Sequence, residues 1–501
     1  MTGQTSDPVE ATYDLIREGR LEDAYRLIEP IGADPDASHA EMAAYAYVLK
    51  GLDRMDEALA VYERAVVDYP KSGVAEHNVA AIQGDLFRFA EAEAAARRAF
   101  AKGLDAPATW AVLARALHGQ SRYDEAEKAY IESLRRGLNA ADVHRDLAQL
   151  IWTRTEDADA ATAGLKAATA AFPDQADLAI ELAKAQEFGG DVEAAYTTLL
   201  GALSRRTVPD LDLNAAASVL AAKLGESVAA LRHAEAALAI SPSDPRAIIL
   251  MCDAQLGLGR AGPAARMAEA LHEQMPNEQQ VLARLATAWR MMDDPRYRQL
   301  YDYDAMVRGW TIDTPYGWAD LPAYLADLAQ ALRRENELRG HPFDQSLRHG
   351  SQTQTDLGLS QDRAIQAFFQ AIDGPIRRHM AAIGQGSDPL RRRNTGDYRI
   401  QGAWSVRLRP TGFHVDHVHQ KGWLSSACHI ELPAAVDAGG QDGWLKFGEP
   451  GVPTTPAQAP EHLVKPEPGR LVLFPSYMWH GTTPFAGEQE RLTVAFDVVP
   501  A

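Results

Sequence analysis

The stretch SRYDEAEKAYIESL, Ser121–Leu134, sets an acidic-alanine pair in front of an apolar helical face. The same arrangement stands in GRLEDAYRL (19–27), GLDRMDEALAVYERA (51–65) and FRFAEAEAAARRA (87–99). The register alanines are Ala24, Ala58, Ala92 and Ala126, each 34 residues after the last. The same step reaches Ala160 and Ala194, and after a two-residue slip it continues at Ala230 and Ala264. Self-similarity at this period marks an array of repeated units rather than one globular core.

Each unit reads as two helices. Gly19, Gly51, Gly84, Gly119, Gly190, Gly225 and Gly259 fall near the turn between them, where a helix end favours a left-handed residue. Pro30, Pro70, Pro173, Pro242 and Pro276 fall near unit ends, where they stop the second helix. Small alanines let two helices approach closely, and Tyr62, Tyr130 and Tyr196 fill the neighbouring spaces. Over roughly residues 8–280 this resembles the tetratricopeptide repeat. The reading is an α-solenoid of about eight 34-residue units over 1–290. Such arrays serve as binding surfaces for many partners, so a protein or peptide partner is expected.

Composition narrows the function classes. A formal charge of −19 argues against nucleic acid, because no basic stripe offsets phosphate repulsion. Two distant cysteines, Cys252 and Cys428, form no disulfide framework and fit a reducing compartment. The opening MTGQTSDPVEATYDL lacks a basic segment followed by an apolar one, so no secretory signal is expected. No apolar run is long enough to span a bilayer, so a cytoplasmic protein without a membrane partner is expected.

From about residue 296 the pattern changes. YLADLAQALRRENEL and RAIQAFFQAIDGPIRRHM keep helical apolar spacing. Short strand-like runs then follow: WSVRLRP, WLSSACHIELP, GWLKFGEP, GRLVLFP and RLTVAFDVVP. Helices followed by five or more strands indicate a separate α + β domain over 296–501, a sandwich or barrel with a helical flank.

Within it, GFHVDHVHQKGW (412–423) crowds three histidines and an aspartate together. Residues two apart share a strand face, so His414 and Asp416 face one way and His417 and His419 the other. Without a bulge only one pair meets a common ion. His480, after the strand-like run GRLVLFP, is the distal candidate. Arg491 opens the last strand with Thr493 on the same face. There a buried arginine makes a two-pronged bond to a carboxylate, with the threonine hydroxyl beside it.

The blocks HPFDQSLRHGSQT (341–353), GAWSVRLRPTGFHVDHVHQKGWLSS (402–426), PGRLVLFPSYMWHGTTPF (468–485) and ERLTVAFDVVP (490–500) resemble the 2-oxoglutarate/Fe(II)-dependent oxygenases. The likeness is to bacterial members that carry tetratricopeptide repeats in front. It implies a double-stranded β-helix (jelly-roll) fold over 296–501. It also implies Fe(II), with 2-oxoglutarate and dioxygen as cosubstrates, and a hydroxylase-type reaction on a substrate recruited by the solenoid. Arg491 would take the distal carboxylate of 2-oxoglutarate with Thr493 assisting. In related sequences the first metal histidine follows a Gly-Phe step by about four residues, which from Phe413 gives His417. The resemblance therefore favours His417, His419 and His480 as ligands, with His414, Asp416 and His480 as the alternative set.

Blander readings accompany these. His429 reads as a core or cavity-wall histidine, His462 as a solvated loop residue, and Cys428 as a small buried apolar group. His341 and Arg348 either reach the site or pack on the helical flank. Trp404, Trp423, Trp444 and Trp479 read as core or rim. The competing function is a non-catalytic scaffold whose solenoid does the binding and whose barrel is structural. Because every candidate ligand lies beyond residue 400, residues 1–290 are expected to be dispensable for binding the cosubstrate.

Overall fold

The computed structural model describes residues 7–501. The chain divides into two compact units, Met1–Leu150 and Ile151–Ala501. The first is built of antiparallel helix pairs, from Pro8–Arg17 and Leu21–Gly32 through Pro107–Gly119 and Tyr123–Arg135, with most of a further helix, Ala141–Thr155. Ala24, Ala58, Ala92 and Ala126 are all fully buried, as a close helix crossing requires. Ser38 and Glu41 cap the helix His39–Gly51 reciprocally, satisfying two backbone donors that the first turn leaves over.

The turn chemistry departs from the glycine pattern. Gly51, Gly84 and Gly119 lie inside helix ends, and the left-handed residues of those turns are Asp53, Phe87 and Ser121. With Gly19 they keep the period of the repeat, as do Glu156, Gly190, Gly225 and Gly259 further on. Gly119 is small for another reason: a Cβ there would meet the Phe89 ring at 2.5 Å. Pro30 also differs, lying within the helix Leu21–Gly32.

The second unit continues with helix pairs from Ala158–Ala171 to Gln279–Met291. Its buried register alanines are Ala161 and Ala195, whereas Ala160 is exposed. The two-residue slip is thus two single slips. One residue enters before Ala158, where Ala141–Thr155 is two residues longer than the helix before it, and one before Ser227.

After Met291 come two antiparallel sheets and the helices Leu321–Glu335 and Arg363–Ile383. The strands are β1 (Arg308–Thr311), β2 (Leu347–Gln352), β3 (Tyr398–His414), β4 (Leu424–Glu431), β5 (Leu445–Phe447), β6 (His462–Val464), β7 (Arg470–Pro475), β8 (His480–Thr482) and β9 (Arg491–Pro500). One sheet runs β1-β7-β4-β9-β3-β2 and the other β6-β5-β8. The helix Gln279–Met291 shares a core with these sheets: Leu282 and Ala286 pack in one cluster with Trp423, Phe447, Phe474 and Phe496. Trp479 Nε1 donates to Thr287 Oγ1 at 2.9 Å, and Arg284, paired with Asp253 at 2.8 and 3.0 Å, lies over the Trp479 ring. No helix among the described residues is long and apolar enough to cross a membrane.

Candidate metal centre

The local fold explains how three histidines meet. Between β2 and β3 the register jumps: Leu347 pairs with His414 and Arg348 with Phe413, but Gly350 pairs with Leu408. The extra β3 residues bulge out through Thr411, at φ 67°, and the chain leaves the sheet after His414. A bulge of this kind re-aims the side chains that follow it. The segment then runs antiparallel to 476–480. His417 N donates to His480 O at 2.9 Å, His480 N to His417 O at 3.1 Å, and His419 N to Ser476 O at 3.0 Å.

The rings of His417, His419 and His480 are thereby gathered, with centroids 4.2 to 5.1 Å apart. One ring nitrogen from each lies within 4.8 Å of the others. Their Nδ1 atoms are already committed. That of His417 donates to Val415 O at 2.8 Å, that of His480 to Met478 O at 2.9 Å, and that of His419 to Asp497 Oδ1 at 2.6 Å. With Nδ1 protonated in each ring, all three Nε2 lone pairs are left for a common partner. Burial, reinforced by the neighbouring histidines, pushes His417 down to about 3 and His480 well below the usual histidine range. Both are neutral at pH 7, as ligands must be. The donor set fits a borderline transition-metal ion such as Fe(II), which imidazole nitrogen suits.

The other two candidates go elsewhere. Asp416 Oδ2 accepts from Lys446 Nζ at 2.8 Å, and Lys446 also reaches Glu449 at 2.5 Å. Burial raises the Asp416 carboxyl to about 6, with Lys446 opposing the shift. His414 lines the same cavity as the trio but bonds through Nδ1 to Ser346 Oγ at 2.9 Å. The structure brings His417, His419 and His480 together and separates His414 from Asp416.

The trio lies in a cavity of about 720 Å³, within the roughly 300–1,000 Å³ range of ordinary ligand pockets. Arg491, Thr493, Ala495 and Asp497, every second residue of β9, line it. Arg491 is 2% exposed. Its Nη1 donates to Gly443 O at 2.7 Å, its Nη2 meets His429 Nδ1 at 3.3 Å, and its Nε meets Thr493 Oγ1 at 3.3 Å. Among the described residues no carboxylate pairs with it. Burial lowers it to about 10, so it keeps its charge at neutral pH. A buried cation without a counter-ion is costly, and an incoming carboxylate relieves that cost.

Several residues of this cavity are absent from the sequence reading. Asp497 orients His419 and also accepts from Ser425 Oγ at 2.7 Å. Its signal was its even spacing from Arg491 and Thr493. Trp404, read as core or rim, lines the cavity, with its ring 5.7 Å from that of His419. Residues 176–223 also line the cavity, among them Ile180, Phe188, Ala216, Val219 and Leu220. These residues fall within the 1–290 stretch expected to be dispensable for binding the cosubstrate, yet they line the same cavity as the three histidines and Arg491. His462 is not a solvated loop residue: it sits in β6 and stacks on Tyr303 at 5.2 Å. His429 is buried, with Nε2 unbonded. Arg348 lines the cavity, whereas His341 packs edge-on between Trp152 and Phe188.

Comparison with known proteins agrees in part with these observations. Residues 402–497, which contain the three histidines and most of β9, match the family described as "Putative 2OG-Fe(II) oxygenase". No curated protein matches the chain. Among solved structures the chain is similar to the APC/C hetero-tetramer Cut9–Hcn1, at 16% identity over 57% of this chain and 57% of that one, with a TM-score of 0.34. It is also similar to a tetratricopeptide repeat protein from Parabacteroides merdae, at 14% identity over 49% of this chain and 96% of that one, with a TM-score of 0.35. A third is YrrB, a TPR protein with an unusual peptide-binding site, at 16% identity over 37% of this chain and 95% of that one, with a TM-score of 0.26. The chain spans less than two thirds of the Cut9–Hcn1 chain.

Proposed function

We propose that this protein is an Fe(II)- and 2-oxoglutarate-dependent dioxygenase, a hydroxylase acting on a protein or peptide that the helical array presents. His417, His419 and His480 would hold the iron, and Arg491 with Thr493 would hold the distal carboxylate of 2-oxoglutarate. The two sheets would form the double-stranded β-helix of that family. The observation that carries the reading is the pairing of two features in one cavity. Three Nε2 atoms have their Nδ1 partners already fixed, and a buried arginine has no carboxylate of its own.

The bound iron, with 2-oxoglutarate and dioxygen, supplies the oxidising power. The chain's own groups supply orientation. Val415 and Met478 carbonyls and the Asp497 carboxylate fix the ring tautomers. Thr493 steadies the Arg491 fork at 3.3 Å. Phe474 and Trp404 border the trio.

The test is equilibrium binding under argon. Purified full-length protein should take up one Fe(II) per chain, and only then bind 2-oxoglutarate tightly. Cosubstrate binding that is indifferent to the metal would end this reading and favour the scaffold.

A further inference from the structure

The cavity holds a second arginine that the reading above does not use. Arg348, on β2, is half-buried and lines the same space. Its Nη1 donates to the carbonyls of Gln345 and Leu347, both at 2.8 Å. The Phe188 ring covers its guanidinium at 5.2 Å. These contacts fix the fork, and its remaining donors have no hydrogen-bond partner among the described residues. Among the described residues no carboxylate lies within ion-pair distance of Arg348. Glu187, which acts on it electrostatically, is paired with Lys223. Asp344 lines the cavity but is exposed.

Beside Arg348 stands a largely apolar wall, to which Lys184, Glu187 and Lys223 also contribute. Ile180, Ala183 and Phe188 of the helix Ala176–Phe188, and Ala216, Val219 and Leu220 of the helix Leu211–Lys223, all line the cavity. Val219 remains 39% exposed. Large apolar side chains left open inside a concave site mark a surface built to be covered.

A single small diacid would fill only part of a cavity of about 720 Å³. We infer that Arg348 and the wall formed by helices Ala176–Phe188 and Leu211–Lys223 are the subsite for the substrate to be oxidised. That substrate presents a carboxylate to Arg348 with an apolar group beside it. The inference rests on the dioxygenase reading for its chemistry, but not for its binding. The carboxylate comes either from an acidic side chain of a peptide or from a free aliphatic acid, and the experiment separates the two.

Full-length protein loaded with Fe(II) and 2-oxoglutarate under argon is titrated with two matched pairs of probes. One pair is hexanoate and hexanamide. The other is a blocked peptide Ala-Leu-Glu-Leu-Ala and its Gln counterpart. In at least one pair the acid should bind about tenfold or more tightly than its amide, as a charge-assisted contact to arginine implies. The pair that shows the difference names the source. Arg348→Met should erase the difference, Val219→Trp should weaken acid and amide alike, and Arg491→Lys should instead weaken 2-oxoglutarate. Equal or undetectable binding of acid and amide in both pairs overturns the inference. So does an Arg348→Met variant that weakens 2-oxoglutarate as much as Arg491→Lys does, since Arg348 would then serve the cosubstrate. If the protein binds neither iron nor 2-oxoglutarate but keeps an Arg348-dependent preference for the acid, the dioxygenase reading falls and the subsite stands.

Discussion

A histidine that donates its Nδ1 proton to a carboxylate holds more electron density at Nε2 than one donating to a peptide carbonyl. In the proposed centre His419 is that histidine, and Asp497 is its acceptor at 2.6 Å. Three neutral imidazoles give the ion no negative charge directly, so Asp497 supplies it at one remove. Asp497→Asn should therefore weaken iron binding by about 10–100-fold while leaving every ligand in place. Metal titration of the variant checks this, and unchanged affinity would show that Asp497 merely fills space. At the same scale, His417→Ala, His419→Ala and His480→Ala should each cost far more iron affinity than His414→Ala or Asp416→Ala. The reverse ranking would hand the centre to the Asp416 side. The two-residue period of a strand was enough to split the four candidates of GFHVDHVHQKGW into pairs. It was not enough to choose between them, because the bulge at Thr411 and the ion pair of Asp416 with Lys446 join residues far apart in the chain.

The final strand was the most legible element. Arg491, Thr493, Ala495 and Asp497 share a face, and all four line the cavity. Arg491→Lys keeps the charge but loses the planar fork. It should weaken 2-oxoglutarate by roughly tenfold or more with a smaller effect on iron. The helical repeats were legible in period but not in turn chemistry, because Asp, Ser and even Phe take the left-handed position where glycine was expected. Tertiary packing overrode the local preference there.

The segment 341–348 lies in one of the blocks that carry the family resemblance, and its first residue, His341, carries a pH prediction. His341 is 4% exposed with neither ring nitrogen bonded, and burial, then Arg348, pushes it down to about 3. The unfolded chain takes up that proton near pH 6.5, whereas the folded one holds out to about 3. The stability is present above about pH 6.5 and is lost as the pH falls toward 3. His341→Phe keeps the aromatic contacts with Trp152 and Phe188 and removes the titration. Its advantage over the parent in denaturant unfolding should grow between pH 7 and pH 5. A constant difference would mean that His341 does not titrate with folding.

Across the described residues the cavity draws its lining from between Ile180 and Asp497. Removal of residues 1–140 should leave iron and 2-oxoglutarate binding unchanged. Removal of 1–290 strips away the wall and also the Thr287 and Arg284 contacts to Trp479, so that shorter chain should lose its folded sheets. Circular dichroism and metal titration of the two truncations separate these outcomes. Composition and repeats made the order of architectures readable. They did not make readable that the helices wall the site, because that contact joins residues more than 100 positions apart in the chain.

The central claim is that the iron held by His417, His419 and His480 turns over 2-oxoglutarate. The most direct measurement is the formation of succinate from 2-oxoglutarate by the full-length protein in air, with and without Fe(II). Succinate should form only with Fe(II), and none should form with His480→Ala. Protein that binds both Fe(II) and 2-oxoglutarate yet yields no succinate with any acid or peptide supplied would contradict the claim and leave a binding module.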